Sequence, residues 1–196
     1  MTSISALVSQ GLGLIQTIGD DIRAKAEWTY QGTGTRDLAK ALVADGTASV
    51  VIYRLMQASR HAGLAPLEMA FNKLNVALGC IIGRGAEFGP GLVLIHSHGV
   101  VINGAVRGGA HVLIEHQVTI GAEKGLSPSL GNDVFIGCGA KILGPITVGD
   151  GARIGANAVV LHDVPPAITV VGIPAKPVVR REQVVVPPPS NSTTRA

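Results

Sequence analysis

Between Ile82 and Val160 the hydrophobic positions of this chain recur every six residues. Ile82, Phe88, Leu94, Val100, Val106, Val112 and Val118 stand in one phase, which lapses at Lys124 and returns at Leu130, Ile136, Ile142, Val148, Ile154 and Val160. Two residues ahead of most of these comes a second small or aliphatic side chain, among them Ala86, Gly104, Ala110, Val134, Ala140, Ile146, Ala152 and Ala158. Neither a helical period nor simple alternation produces this pattern. A triangular coil with sides six residues long does, each side turning one large and one small residue inward. Hexapeptide repeats of this kind mark a parallel β-helix, whose stability comes from coils stacking on their neighbours around an apolar column.

The segment before the repeats has a different periodicity. Residues 3–27 carry Leu7, Leu12, Leu14, Ile15 and Ile18 at helical spacing, and Thr33-Gly34-Thr35 interrupts them. Arg36–Val43 and Thr47–His61 read as two further helices. Gly63 ends the third, and Pro66 suits the first turn of a fourth over Leu67–Leu78. The expected organisation is an α-helical region over 1–79, a mainly β coil domain over 80–179, and a disordered tail over 180–196, where Pro187-Pro188-Pro189 and a Ser/Asn/Thr run lie. The lapse at Ala122–Ser129, polar and containing Pro128, predicts a surface loop, and such loops often carry the binding face of a solenoid.

Composition narrows the classes. Aromatics are 3% of the 196 residues against 46% hydrophobic overall and 26 glycines, so Val, Ile, Leu and Ala must fill the core. The net charge of +3 is scattered, without the basic stripe that nucleic acid requires. Met1–Asp20 lacks the basic start of a secretory signal, and no apolar run is long enough to span a membrane. Cys80 and Cys138 match neither a disulfide framework nor a metal-ligand spacing. A cytoplasmic protein without a metal is expected.

Several motifs resemble one family. Gly137-Cys138-Gly139-Ala140-Lys141-Ile142-Leu143-Gly144-Pro145, Val148-Gly149-Asp150-Gly151-Ala152-Arg153-Ile154-Gly155-Ala156, Asp163-Val164-Pro165-Pro166 and Gly172-Ile173-Pro174-Ala175-Lys176 look like the C-terminal half of serine O-acetyltransferases. The likeness covers roughly residues 36–178. It implies a left-handed parallel β-helix, assembly as a homotrimer or dimer of trimers, and acetyl transfer from acetyl-CoA to the serine hydroxyl by a histidine general base.

His96 matches the position of that histidine, at a coil corner two residues after Leu94. A neutral imidazole there can take the hydroxyl proton as the oxygen attacks a thioester, an effect of roughly 10²–10⁴ in rate. The resemblance also implies a catalytic carboxylate at Asp37, since Arg36-Asp37-Leu38-Ala39 is similar to an upstream Arg-Asp-Pro-Ala motif. For acetyl-CoA it implies Cys138, Gly139 and Ala156 along the pantetheine arm, Gly121 near the thioester, and Arg153 and Lys176 at the nucleotide phosphates.

Two expected groups are replaced. Ile95 stands where the family has an aspartate before the histidine, and Leu126-Ser127-Pro128 replaces an Arg-His-Pro run. His96 must then be oriented by a backbone carbonyl or by a carboxylate from another subunit. His98 and His116 fall on expected inward slots as structural residues, His116 lining the site from below; His61, His111 and His162 read as surface residues. Alternative readings are transfer to a sugar or other small alcohol, and a non-catalytic trimeric scaffold. Because the chain ends Arg195-Ala196 rather than in the isoleucine with which partner-docking relatives end, no stable complex with O-acetylserine sulfhydrylase is expected.

Overall fold

The computed structural model describes residues 4–178; the tail expected from residue 180 lies outside them. Among the described residues four helices precede the first strand: α1 (Ile4–Tyr30), α2 (Thr35–Val43), α3 (Thr47–His61) and α4 (Ala65–Ala77). Pro66 stands in the first turn of α4, where its missing N–H goes unfelt and its fixed φ suits the helix.

The coils begin at once. β1 (Ile81–Ile82), β2 (Glu87–Phe88) and β3 (Val93–Leu94) form three sides of the first coil. β4 (Val101–Ile102), β5 (Arg107–Gly108) and β6 (Leu113–Ile114) form the second. β7 (Thr119–Gly121), β8 (Ser129–Leu130) and β9 (Phe135–Ile136) form the third. β10 (Lys141–Leu143), β11 (Thr147–Val148) and β12 (Arg153–Ile154) form the fourth. β13 (Val159–Val160) and β14 (Thr169–Val171) continue it, and β15 (Lys176–Pro177) turns back antiparallel against β14. Like sides stack into three parallel sheets of five, four and six strands, only β15 running against its neighbour. The winding is left-handed, against the usual right-handed parallel crossover.

Register turns each sheet into a column of inward side chains. Ile82, Ile102, Ile120, Ile142 and Val160 stack on the first face. Leu94, Ile114, Ile136, Ile154 and Val170 stack on the third, and all but Val160 and Val170 are within 1% of full burial. On the second face Phe88, Gly108 and Leu130 stack. Gly108 is small because the Phe88 ring occupies its side-chain space, and a methyl group there would overlap that ring.

This register corrects the expected phase. Val100, Val106, Val112 and Val118 are fully buried, but they occupy the slot ahead of each strand that was expected to hold small residues. Two extra residues at the corner after β3 shift the pattern, since Leu94 stacks on Ile114 while the next column runs from Ile82 to Ile102. Four more lie between β7 and β8. Together the two insertions equal one repeat, so the six-residue phase returns downstream and conceals both. The second insertion is the expected surface loop: Glu123 and Leu126 exchange both backbone hydrogen bonds around Lys124-Gly125, each at positive φ, the geometry of a tight primed turn.

A solenoid end needs a cap, and α3 supplies it. Val50, Tyr53 and Met56 join the core of the coils. Tyr53 donates its hydroxyl to the Ala86 carbonyl and meets Phe88 edge-on. Beside it a buried ion pair joins the helices to the first coil: Arg54 contacts both oxygens of Asp21 and donates to the carbonyls of Phe88 and Gly89, while Asp21 accepts the Leu92 N–H. α1 continues along the third sheet, where Trp28 packs on Phe135 at 5.4 Å between ring centres.

Candidate active site

The two-residue insertion after β3 carries His96. Its imidazole is about half exposed, open to a substrate, and its Nδ1 lies 2.8 Å from Oδ2 of Asp45. Asp45 sits in the turn between α2 and α3, which Gly46 makes possible. Gly46 has φ +82, a left-handed conformation that costs other residues, and a methyl group there would overlap the Leu94 carbonyl oxygen. The turn therefore lies against the coil just before His96. A carboxylate on Nδ1 fixes the imidazole in the tautomer whose Nε2 lone pair is free.

Sequence reasoning missed Asp45. It expected either a backbone carbonyl or another subunit's carboxylate; the structure supplies a carboxylate from the same chain, 51 residues away. The local signal was Asp45-Gly46 between two helices, a turn dipeptide whose reach to His96 only the docking of α1 and α3 creates. Asp37 is not brought to His96. It occupies the first turn of α2, 3.8 Å from Lys40 and packed beside Gly32.

Two other histidines, His98 and His116, also depart from expectation. His98 is exposed rather than inward, because the insertion moves that inward slot two residues on to Val100, which is fully buried. His116 occupies the same corner one coil below His96, since Leu94 pairs with Ile114. The two rings meet edge-on at 5.8 Å, and His116 Nδ1 lies 3.2 Å from Glu115. His61, His111 and His162 are exposed.

Below His116 the corner column continues through Cys138 and Ala156, by the register of β6, β9 and β12. Gly139 follows Cys138 at φ +71, packed against Asn157. Gly121 ends β7 beside Leu143. Arg153 is exposed, with its guanidinium 4.5 Å over the Phe135 ring. Lys176 is exposed on β15, two strands from Arg153 in the same sheet. Among the described residues no three His, Cys, Asp or Glu converge as metal ligands, and no helix is long and apolar enough to cross a membrane.

A left-handed coil of six-residue sides with an exposed His–Asp pair at one corner defines a hexapeptide-repeat transferase. Residues 127–162 match the bacterial transferase hexapeptide (six repeats) family. The chain is 42% identical over 144 residues to the serine acetyltransferase of Helicobacter pylori, covering 71% of this chain and 84% of that protein. Its fold superposes on the Neisseria gonorrhoeae serine acetyltransferase solved with serine at a TM-score of 0.74, 31% identity, 89% of this chain and 76% of that one. A serine acetyltransferase solved with CoA gives 0.77 at 31% identity, covering 84% and 69%. The chain belongs to the serine acetyltransferase family, and it is an acyltransferase.

Proposed function

We propose that this protein transfers the acetyl group of acetyl-CoA to the hydroxyl of L-serine, with His96 as general base and Asp45 as the group that orients it. The observation that carries the reading is the 2.8 Å contact between His96 Nδ1 and Asp45 at an open corner of the coil. With Nδ1–H donating to Asp45, Nε2 accepts the serine Oγ proton as the oxygen attacks the thioester carbonyl carbon. Backbone N–H groups hold the resulting oxyanion. The C–S bond then breaks, and the CoA sulfur leaves with the proton from Nε2. Asp45, 2.8 Å from Nδ1, steadies the transient imidazolium, the task expected of a carboxylate adjoining the histidine. Relatives solved with serine and with CoA favour serine over a sugar acceptor and over a scaffold without activity.

The pantetheine arm runs down the corner column past Cys138, Gly139 and Ala156, with Gly121 near the thioester. Lys176 and Arg153 lie at the nucleotide end. One strand, β14, lies between these cations, and two strand spacings, about 10 Å in all, keep both within reach of the phosphates of a single nucleotide. We read the assembly as a homotrimer or dimer of trimers. Leu78, Ile81 and Val101 are 46%, 44% and 38% exposed, and Ile81 and Val101 pair directly across two strands, an apolar strip that another copy covers. The cytoplasm is the proposed compartment, on the strength of two unpaired cysteines. His96→Ala tests the assignment: turnover of serine and acetyl-CoA falls at least about 10²-fold while acetyl-CoA affinity measured by calorimetry holds. A variant keeping a tenth of the wild-type rate refutes it.

A further inference from the structure

Lys25 lies on the buried side of α1, in step with Asp21 one turn earlier, and is 4% exposed. An ammonium has three N–H donors, and here all three are spent on backbone carbonyls. Nζ is 2.8 Å from the oxygen of Asp45, 2.9 Å from that of Leu94 and 2.7 Å from that of Ile95. One acceptor belongs to the residue that holds the imidazole. The other two belong to the residues immediately before His96. Burial pushes the Lys25 amine below its ordinary value, opposed by the carboxylates of Asp45 and Glu115.

A purely structural link between α1 and the coil is better made with apolar side chains, because a buried ammonium loses its hydration. A cation with its three donors divided between the two halves of one His–Asp pair is placed differently. It fixes the distance between two segments far apart in sequence, and its charge stands behind the pair.

We propose that Lys25 is a positioning residue for acetyl transfer, tying the Asp45 turn to the backbone before His96 so that carboxylate and imidazole align. This rests on the reading of His96 as the base. The ionisable groups facing Lys25 are Asp45 and Glu115, with His96 beyond Asp45. Its three hydrogen bonds hold the Asp45 turn and the Leu94-Ile95 backbone at a fixed separation, so the carboxylate meets Nδ1 of His96.

The experiment compares Lys25→Met, Asp45→Asn and the double variant by CoA release with L-serine and acetyl-CoA. It adds the ¹⁵N spectrum of histidine-labelled protein, with the His96 signal assigned by His96→Ala. Lys25→Met lowers kcat at least about tenfold, since a misplacement of 1 Å can cost about 10²-fold, and leaves KM for acetyl-CoA within about twofold. The wild-type His96 resonances show one neutral tautomer with the proton on Nδ1, and the variant's show a mixture. The double variant is no slower than Asp45→Asn by more than about twofold, because both changes act through one pair.

A Lys25→Met protein with kcat within twofold of wild type and an unchanged tautomer overturns the proposal. So does a rate loss that simply multiplies that of Asp45→Asn. If Lys25→Met does not fold, Lys25→Gln, which keeps amide donors without the charge, is judged by the same readings. The tautomer needs no turnover to be read, so failure of the His96 assignment, seen as an active His96→Ala, is distinguishable from failure of this one.

Discussion

Gly46→Ala tests the link between backbone geometry and catalysis. At φ +82 an alanine costs about 1–2 kcal/mol for the left-handed conformation alone. Its methyl group also overlaps the Leu94 carbonyl, with the Leu94 carbonyl carbon at 2.9 Å. No rotamer relieves a clash with backbone, so a further cost of roughly 1–3 kcal/mol is expected. The turn must retreat from the coil, and Asp45 retreats with it. At roughly 2–4 °C per kcal/mol for a chain of this size, the melting temperature falls by about 4–20 °C. A displacement near 1 Å between carboxylate and imidazole costs up to about 10²-fold in turnover, with KM for acetyl-CoA nearly unchanged. Circular dichroism melts and CoA-release kinetics on the same preparation measure both. Gly13→Ala on the exposed side of α1 is the control: its methyl group meets nothing within 4 Å, and it gains about 0.5–1 kcal/mol from the lost flexibility of the unfolded chain. A Gly46→Ala protein melting within a degree of wild type at full turnover would refute the argument.

Gly108→Ala destabilises the second coil by roughly 1–3 kcal/mol because it meets the Phe88 ring, yet becomes neutral or favourable in a Phe88→Ala background; urea unfolding of the four proteins gives the coupling, and additive effects contradict the packing account. Burial pushes the Cys80 thiol up to about 11, whereas Cys138 is partly exposed. Ellman's reagent at pH 8 therefore titrates one thiol in the native protein and two after unfolding, and saturating acetyl-CoA slows the first; rapid reaction of both in the native state sinks this. Since the folded-state value of Cys80 is raised above its ordinary 9.0, its contribution is fully present below pH 9 and is lost as pH rises through about 11.

The repeat was legible because an apolar column imposes a strict spacing on every coil, and Ile136, Ile142, Val148 and Ile154 obey it without exception. The helices were legible for a similar reason: Thr47–His61 matches α3 residue for residue, with Gly46 before it and Gly63 after it. His96 was legible through the motif around it. The insertion beside it was not, because two residues there and four at 122–128 restore the phase and leave only one visible lapse. That is why His98 and His116 were read as inward, and why Val100 through Val118 were assigned the wrong slot. Asp37 was named, and Asp45 passed over unnoticed, because a motif match in sequence carries no distance. Which carboxylate reaches the histidine depends on how α1 and α3 dock on the first coil. That docking rests on the Asp21–Arg54 pair, on Tyr53 against Ala86, and on the space left by Gly46. Periodicity is a local property and survives in one dimension; a contact spanning 51 residues is decided only when the packed elements fix the path between its ends.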